Sequence, residues 1–212
     1  MGKLTTELEA IGEKLRASLT RKYEAREEAL RLSREAIFKC STSIRAVHRG
    51  EYDTAESLVN SAKALLEELN RAISDESDLS SVGFVQDAQK EYAEAVITLA
   101  LISGKSIPDP DELGISYVAY LNGLGEVIGE LRRHMLDNLR KGEVRRGEEI
   151  LEMMDEIYGL LVTMDFPEAM TGGLRRTTDM ARGVLEKSRG DLTMALCQKE
   201  LERKLEAFQG KI

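Results

Sequence analysis

The chain has little of what disulfide-rich and zinc-binding proteins are built from. Its 212 residues include two cysteines, two histidines, three prolines and no tryptophan. Cys40 and Cys197 each stand alone, without a Cys-x-x-Cys pair or a Cys/His cluster, so we expect neither a disulfide framework nor a zinc site. Because unpaired cysteines are among the most buried residue types, two buried thiols are expected instead.

Long hydrophobic runs are also missing. No apolar stretch approaches the roughly 20 residues that a membrane-spanning helix requires. The N-terminus, Met-Gly-Lys-Leu-Thr-Thr-Glu-Leu-Glu, lacks the apolar segment of a signal peptide. We therefore expect a cytoplasmic protein that has no membrane partner.

The few prolines leave long stretches in which apolar residues recur at helical spacing. This pattern predicts an all-α fold, with Leu, Ala, Ile, Val and Met forming the core. The predicted helices cover about residues 3–48, 52–72, a segment ending near 102, 115–140, 143–164 and 174–208. Long helices with short connections favour an up-and-down bundle. Residues 1–212 can form a single domain, since a chain of this size buries roughly 70% of its unfolded surface.

Two pairs of glutamates stand out on the predicted helices: Glu91 with Glu94, and Glu126 with Glu130. Residues three or four apart are neighbours on a helix, so each pair directs two carboxylates to one point. Like charges at this spacing cost about 0.2–0.5 kcal/mol. Mg²⁺, with Mn²⁺ as a second candidate, would relieve that cost, because hard cations are held by carboxylates, waters and phosphate oxygens. The alternative is two solvated acidic faces, which are common in a chain that is 32% charged.

Periodicity alone does not bring the two pairs together. Glu91 flanks the apolar stripe of its helix, and Glu94 lies about 60° further round at 100° per residue. Glu126 and Glu130 fall opposite the apolar stripe of theirs. Whether the four carboxylates meet is left open by the helical pattern.

Positive charge is concentrated in the first predicted helix, although the net charge is −8. Residues 16–50 hold nine Lys and Arg side chains against four acidic ones. Arg34, Arg45, His48 and Arg49 lie within about 100° on the helical wheel and are called the basic ridge below. Such a ridge suits a phosphodiester backbone, since Arg contacts phosphate through two hydrogen bonds. A solvated face that pairs with acids of a neighbouring helix is the alternative.

Two N-terminal segments resemble the first helix of the translin family. They are Ala-Arg-Glu-Glu-Ala-Leu-Arg-Leu-Ser-Arg-Glu at 25–35 and Ser-Ile-Arg-Ala-Val-His-Arg-Gly-Glu at 43–51. Tyr120-Leu-x-Gly123, Gly129-Glu130-Leu131 and a Gly142-Glu143 turn are similar to the central helices of translin and translin-associated factor X. The resemblance covers about residues 20 to 190.

The resemblance implies a role for the four glutamates. In the family, translin binds nucleic acid, whereas translin-associated factor X supplies carboxylates for a Mg²⁺-dependent endoribonuclease. The factor's motifs, Gln-Glu-Tyr-Val-Glu-Ala-Val and Asp-Leu-Thr-Gly-Glu-Leu, are similar to residues 90–96 and 126–131 here. Glu91, Glu94, Glu126 and Glu130 are thereby implied as metal-binding and catalytic residues. This chain has Glu126 where the factor has Asp, a difference that keeps the charge but lengthens the side chain.

The resemblance also implies partners. The first-helix signature is closer to translin and the acidic set is closer to its partner. One chain therefore resembles both, as expected of a prokaryotic, archaeal homologue that assembles with itself. The expected assembly is a closed homo-octamer that encloses and cuts short RNA, single-stranded or duplex, with single-stranded DNA as a further candidate. Arg34, Arg45, His48 and Arg49 would position the nucleic-acid backbone.

Other functions stay open at this point. A translin-like module would bind RNA or DNA without cutting it. An all-α nucleoside triphosphate pyrophosphohydrolase also carries Glu-x-x-Glu, but it follows that motif with Glu-x-x-Asp. A di-iron bundle needs Glu-x-x-His from two helices, and neither His48 nor His134 has a glutamate three residues earlier. A purely structural helical oligomer is not excluded by the acids alone.

Overall fold

The protein is an all-helical bundle, as the apolar periodicity predicts. A computed structural model describes residues 2–209, in which no strand occurs. The six long helices are α1 (Gly2–His48), α2 (Tyr52–Ala72), α3 (Gly83–Ser103), α5 (Tyr117–Arg140), α6 (Val144–Val162) and α8 (Leu174–Gln209). Two one-turn helices, α4 (Pro110–Leu113) and α7 (Glu168–Thr171), and a 3-10 turn (Ser77–Leu79) lie in the connections.

One connection holds more structure than the sequence indicated. The predicted helices leave the segment between about 102 and 115 without helix; residues 104–109 have none, but α4 begins at Pro110. Proline suits the first turn of a helix, where its missing N–H would have no partner in any case. Asp109 completes a capping box by accepting a hydrogen bond from the Glu112 backbone, while the Glu112 side chain accepts one from the Asp109 backbone.

The helices pack in two groups that meet at α3 and α5. α1 packs against α2 and α3, while α5 packs against α3, α6 and α8. The hydroxyl of Ser43 in α1 donates to the carbonyl of Ala55 in α2, 2.9 Å away. Lys22, in the N-terminal half of α1, pairs with Asp78, which follows the C-terminal end of α2. The two helices therefore run antiparallel. The shared core is made of Leu, Ile, Val, Ala and Met side chains, as expected.

The two cysteines differ in their surroundings. Cys40 is fully buried in the α1 face that packs into the core, in agreement with the prediction. Cys197 is exposed, so the prediction of a buried thiol is wrong there. The reason is that α8 continues past Leu192, beyond which none of its described residues is buried.

None of the helices in residues 2–209 combines the length and the apolarity that a bilayer crossing requires.

Candidate metal centre and nucleic-acid ridge

The candidate site lies where α3 and α5 cross. Gly123 of α5 is in tight contact with α3: a Cβ at this position would lie 2.6 Å from the carbonyl oxygen of Lys90 and 2.8 Å from Cβ of Ala93. A residue without a side chain therefore permits the close approach of the two backbones. Glu126 follows Gly123 by three residues and so projects from the same side of α5.

Three of the predicted acids come together at this crossing. A carboxylate oxygen from each of Glu91, Glu94 and Glu126 lies within 4.8 Å of the other two. Glu94 is buried, with 9% of its surface exposed, and the other two are half-buried. Glu126 projects away from the apolar stripe of α5, but this side of the helix faces α3 and not solvent, because α5 packs against three helices.

Glu130, one turn further along α5, is held by a histidine from α1. Nε2 of His48 lies 2.5 Å from Oε2 of Glu130, and because a carboxylate only accepts, Nε2 is the donor. The His48 side chain is 3% exposed, and its Nδ1 is buried without a hydrogen-bond partner among the described residues. The structure thus places His48 against Glu130, whereas the helical wheel grouped it with exposed arginines. We call Glu91, Glu94, Glu126 and Glu130 the acid cluster.

The four carboxylates of the acid cluster outnumber the lysine and arginine side chains that pair with them among the described residues, which are Lys90 and Arg133. Burial, followed by the charges of Glu126, Glu91 and Glu130, raises the pKa of Glu94 to about 8. Burial also raises the pKa of Glu91. Carboxylates that resist ionisation because they are buried beside one another would be stabilised as anions by a bound cation. Their hard oxygen atoms are the ligands that Mg²⁺ and Mn²⁺ accept, so the residues fit such an ion.

Lys90 is a member of the site that the sequence did not assign. Its Nζ lies 2.8 Å from Oε1 of Glu126 and 3.8 Å from Oε1 of Glu91. Burial lowers the pKa of Lys90, but its hydrogen bond to Glu126 and the surrounding negative charges outweigh that effect, so the net shift is upward. Along α3 this lysine is only a neighbour of Glu94 in a less favourable orientation. Its main partner lies on another helix, which periodicity does not reveal.

Cys40 lies near the cluster without adding a metal ligand. Burial, reinforced by the charges of Glu91 and Glu94, raises the pKa of its thiol to about 12. A thiol binds metal as the thiolate. Cys40 therefore stays neutral and serves as a packing residue of the core.

The arginines of the basic ridge lie on the surface near the end of α1. Arg34 is exposed and makes no ion pair within residues 2–209. Arg45 is exposed and donates to the Thr42 hydroxyl at 2.8 Å. Arg49 donates two hydrogen bonds to Glu51, at 2.8 and 2.7 Å, which partly neutralise it. Because His48 lies between Arg45 and Arg49 in the chain and contacts Glu130, the ridge and the acid cluster adjoin at this histidine.

A cavity of about 360 Å³ opens beside Lys90 and Glu126. It is bordered on the far side by Arg176 and by the Gly172-Gly173 joint before α8. Asn122 fixes this joint: its amide donates to the Thr171 carbonyl at 2.9 Å. The sequence does not show that this glycine pair lies next to the acids, since the two are far apart in the chain.

Comparisons with known proteins agree with this architecture. No family model matches the chain. An uncharacterized protein of Methanocaldococcus jannaschii is 30% identical over 192 residues, which are 90% of this chain and 85% of that protein. AfC3PO, whose crystal structure is known, has 32% sequence identity to this chain and a TM-score of 0.81. The match covers 88% of this chain and 97% of that chain.

Two further solved structures share the fold. AfC3PO in complex with duplex RNA has a TM-score of 0.78 and 32% identity, covering 88% of this chain and 96% of that chain. Apo-NeC3PO has a TM-score of 0.72 at 21% identity, covering 89% of this chain and 96% of that chain, and shares the fold alone. With relatives at 30% identity or more along most of its length, the chain belongs to the translin family.

Proposed function

We propose that this protein is a Mg²⁺-dependent endoribonuclease that binds short RNA and cleaves it inside a homo-oligomeric shell. The observation that carries the proposal is the convergence of the Glu91, Glu94 and Glu126 carboxylates within 4.8 Å, at the crossing of two helices. Two of these acids come from α3 and one from α5, so the cluster depends on the fold and is not a chance run of charge along one helix.

The acids have distinct tasks in this proposal. Glu91, Glu94 and Glu126 would hold the cation, with Mn²⁺ as an alternative to Mg²⁺. When bound, the cation supplies polarisation of the scissile phosphate and acidification of the attacking water. Glu130, oriented by His48, is a candidate fourth ligand or an acceptor for a proton of that water. The ammonium of Lys90, already beside Glu126, is within reach of a phosphate oxygen that enters the site.

The basic ridge would hold the RNA backbone beside these acids. Arg45 and Arg49 flank His48, which contacts Glu130, so a strand lying along the ridge passes next to the acid cluster. Arg34 extends the same track along α1. Phosphate contacts of this kind position a strand without reading its bases. Duplex RNA is bound by the relative AfC3PO, which supports RNA as the partner here. Single-stranded RNA and single-stranded DNA are further candidates.

Self-association completes the proposal. The resemblance to translin and its partner implies an octameric shell in which a single chain supplies both the basic and the acidic residues. Enclosure would select short or threaded RNA, because the substrate has to enter the shell to reach the acids.

A cleavage assay tests the proposal. End-labelled short RNA is incubated with the protein, with and without Mg²⁺, beside the variant Glu91→Gln/Glu94→Gln. Glu152→Gln/Glu156→Gln is the matched control, because it removes the same charge from two exposed positions on α6. We expect internal cleavage that requires Mg²⁺, survives in the control and is lost in the site variant, while RNA binding is kept.

Other outcomes identify the alternatives. Salt-sensitive RNA binding without any product, by the unaltered protein, would make it a nucleic-acid-binding module, with Lys90 neutralising acids that hold no metal. Release of pyrophosphate from free nucleotides would identify a pyrophosphohydrolase. Retained cleavage by the Glu91→Gln/Glu94→Gln variant would remove these residues from the metal site.

A further inference from the structure

The N-terminal half of α1 extends beyond the rest of the described chain. α2 and the turn that follows it cover α1 only as far as Lys22, which pairs with Asp78. Between residues 4 and 28 no side chain is buried, and Ala29 is the first that is. We call residues 4–21 the overhang. Its large apolar residues are 52–64% exposed: Leu4, Leu8, Ile11, Leu15 and Leu19.

The bare apolar stripe lies on the face of α1 that is buried further along. Ten helical turns take about 36 residues, so residues that far apart project in the same direction. Cys40, Ile44 and Val47 are all core residues. Thirty-six positions earlier stand Leu4, Leu8 and Ile11. The overhang therefore continues the packing face of α1 into a region where none of the described helices buries it.

We infer that the overhang pairs antiparallel with the overhang of a second copy of this chain. Leu4, Leu8, Ile11 and Leu15 are spaced by four, three and four residues, which is the a/d spacing of a two-helix coiled coil. In an antiparallel pair centred between residues 9 and 10, Leu4 packs against the partner's Leu15 and Leu8 against the partner's Ile11. The two-fold symmetry repeats both contacts, so four successive layers contain only Leu and Ile.

The charges beside this stripe select the antiparallel direction. Glu7 and Lys14 each precede an inward-facing residue and so flank the seam on the same side. The antiparallel register sets Glu7 against the partner's Lys14, and the symmetry sets Lys14 against the partner's Glu7. A parallel pair would place these two side chains against Gly12 and Leu19, which have no charge. Neither Glu7 nor Lys14 makes an ion pair within the part of the chain that the structure describes.

The contact is short but it starts from a preformed helix. The overlapping segment is about 12 residues, or roughly 18 Å at 1.5 Å per residue. An isolated helix of that length would be marginal in water, because nucleating it is costly. The overhang is already a continuation of the packed half of α1, so association bears no nucleation cost. The pairing extends the self-association proposed above, and its residues lie outside the acid cluster and the basic ridge.

Disulfide cross-linking tests the pairing. Two differently tagged chains, one with Leu8→Cys and one with Ile11→Cys, are co-produced with Cys197→Ser in both, because Cys197 is exposed. On mild oxidation we expect a mixed dimer of the two tagged chains, several-fold more abundant than either like dimer. A dominant Leu8→Cys like dimer would indicate a parallel pair and overturn the proposal. So would the absence of any dimer, or cross-linking only to a Leu205→Cys chain, which would identify the end of α8 as the occupant.

Charge exchange gives a second test on the same cross-link. Lys14→Glu should lower the yield of mixed dimer on the order of fivefold, because two attractive pairs become repulsive. Glu7→Lys/Lys14→Glu should restore it, and Glu9→Lys, outside the seam, should leave it unchanged. Equal yields in all four proteins would contradict the ion pairs and the register. RNA cleavage is scored in parallel, so a failed cross-link with intact cleavage rejects this pairing without affecting the proposed nuclease.

Discussion

The acid cluster and the basic ridge meet at His48, yet they are assembled in different ways. Arg34 and Arg45 lie on α1 and Arg49 directly follows it; all three are exposed, and the local helical geometry of one chain segment brings them to a common side. The acid cluster joins two helices at a buried crossing and exists only because Gly123 lets them approach. The ridge is therefore a local feature that tolerates changes elsewhere, whereas the acid cluster depends on the packing of the bundle.

Gly123→Ala should have the largest effect, because it disrupts the helix crossing on which the acid cluster depends and leaves the basic ridge unchanged. The added Cβ would overlap the Lys90 carbonyl and Ala93, so α5 has to move away from α3 and carry Glu126 with it. We expect cleavage to fall about 100-fold, as for a misplaced catalytic group. The free energy of unfolding should fall by about 1–3 kcal/mol, as for an overpacked core.

Gly129→Ala is the matched control for that variant. Gly129 lies on the same helix, and a Cβ there would meet nothing within 4 Å. It should keep cleavage and gain up to about 1 kcal/mol in stability, since alanine favours helix over glycine. RNA-cleavage rates and urea unfolding of both proteins check the pair. Equal activity of the two variants would show that the close approach does not set the site.

Arg45→Ala/Arg49→Ala tests the basic ridge. Losing two phosphate contacts should weaken RNA binding about tenfold and reduce the slope of log affinity against log salt by about 2. The helix and the acid cluster should be unaffected, because both side chains are exposed. Arg140→Ala/Arg145→Ala, two exposed arginines near the α5–α6 turn, is the control. A change in base preference at unchanged total affinity would contradict backbone binding.

Glu94→Gln tests the acid cluster through the pH dependence of the protein's stability. In the folded protein the pKa of Glu94 is raised to about 8, well above the ordinary value of 4.5. The unfolded chain therefore loses this proton first, and metal-free stability should fall as pH rises from about 4.5 to about 8. Glu94→Gln should flatten that fall and raise the melting temperature at pH 8 by a few degrees, for a gain of about 1 kcal/mol.

Thermal melts of metal-free protein at pH 5 and pH 8 measure this effect. Glu152→Gln, exposed on α6, serves as the control and should follow the unaltered protein. A Glu94→Gln variant that loses stability with pH as steeply as the unaltered protein would show that Glu94 is not the group responsible.

Lys90→Met should give the smallest effect. The Lys90 ammonium lies beside Glu126 and Glu91, where it competes with a bound cation for the same oxygens. Removing it should tighten Mn²⁺ binding a few-fold, measured by calorimetry, and slightly lower metal-free stability. Lys105→Met, which removes an exposed ion pair with Glu56, should change neither. Weaker Mn²⁺ binding by Lys90→Met would show that Lys90 supports the metal site and does not compete with it.

Several parts of the site were accessible from the sequence because they are local. The spacing of Glu91 and Glu94, and of Glu126 and Glu130, follows from the helical repeat. A further signal was present in α5: Ala119 and Gly123 lie on the same side as Glu126. Two small residues one turn apart indicate a face that a neighbouring helix approaches closely. Because the apolar stripe of α5 lies on the opposite side, the helical pattern favours the stripe and not this face as the packing surface.

The amino-acid sequence by itself determined the six long helices, because apolar periodicity and helix-ending glycines act over a few residues. It also determined the acidic pairs and the clustering of positive charge on α1. Only the tertiary structure decided that Glu126 faces Glu91 and Glu94, that Lys90 joins them, and that His48 reaches Glu130. These contacts join residues 32 or more positions apart, except for the neighbours on α3. Their geometry is set by which faces of the helices pack together, and that choice minimises exposed apolar area over the whole bundle and not over any one segment.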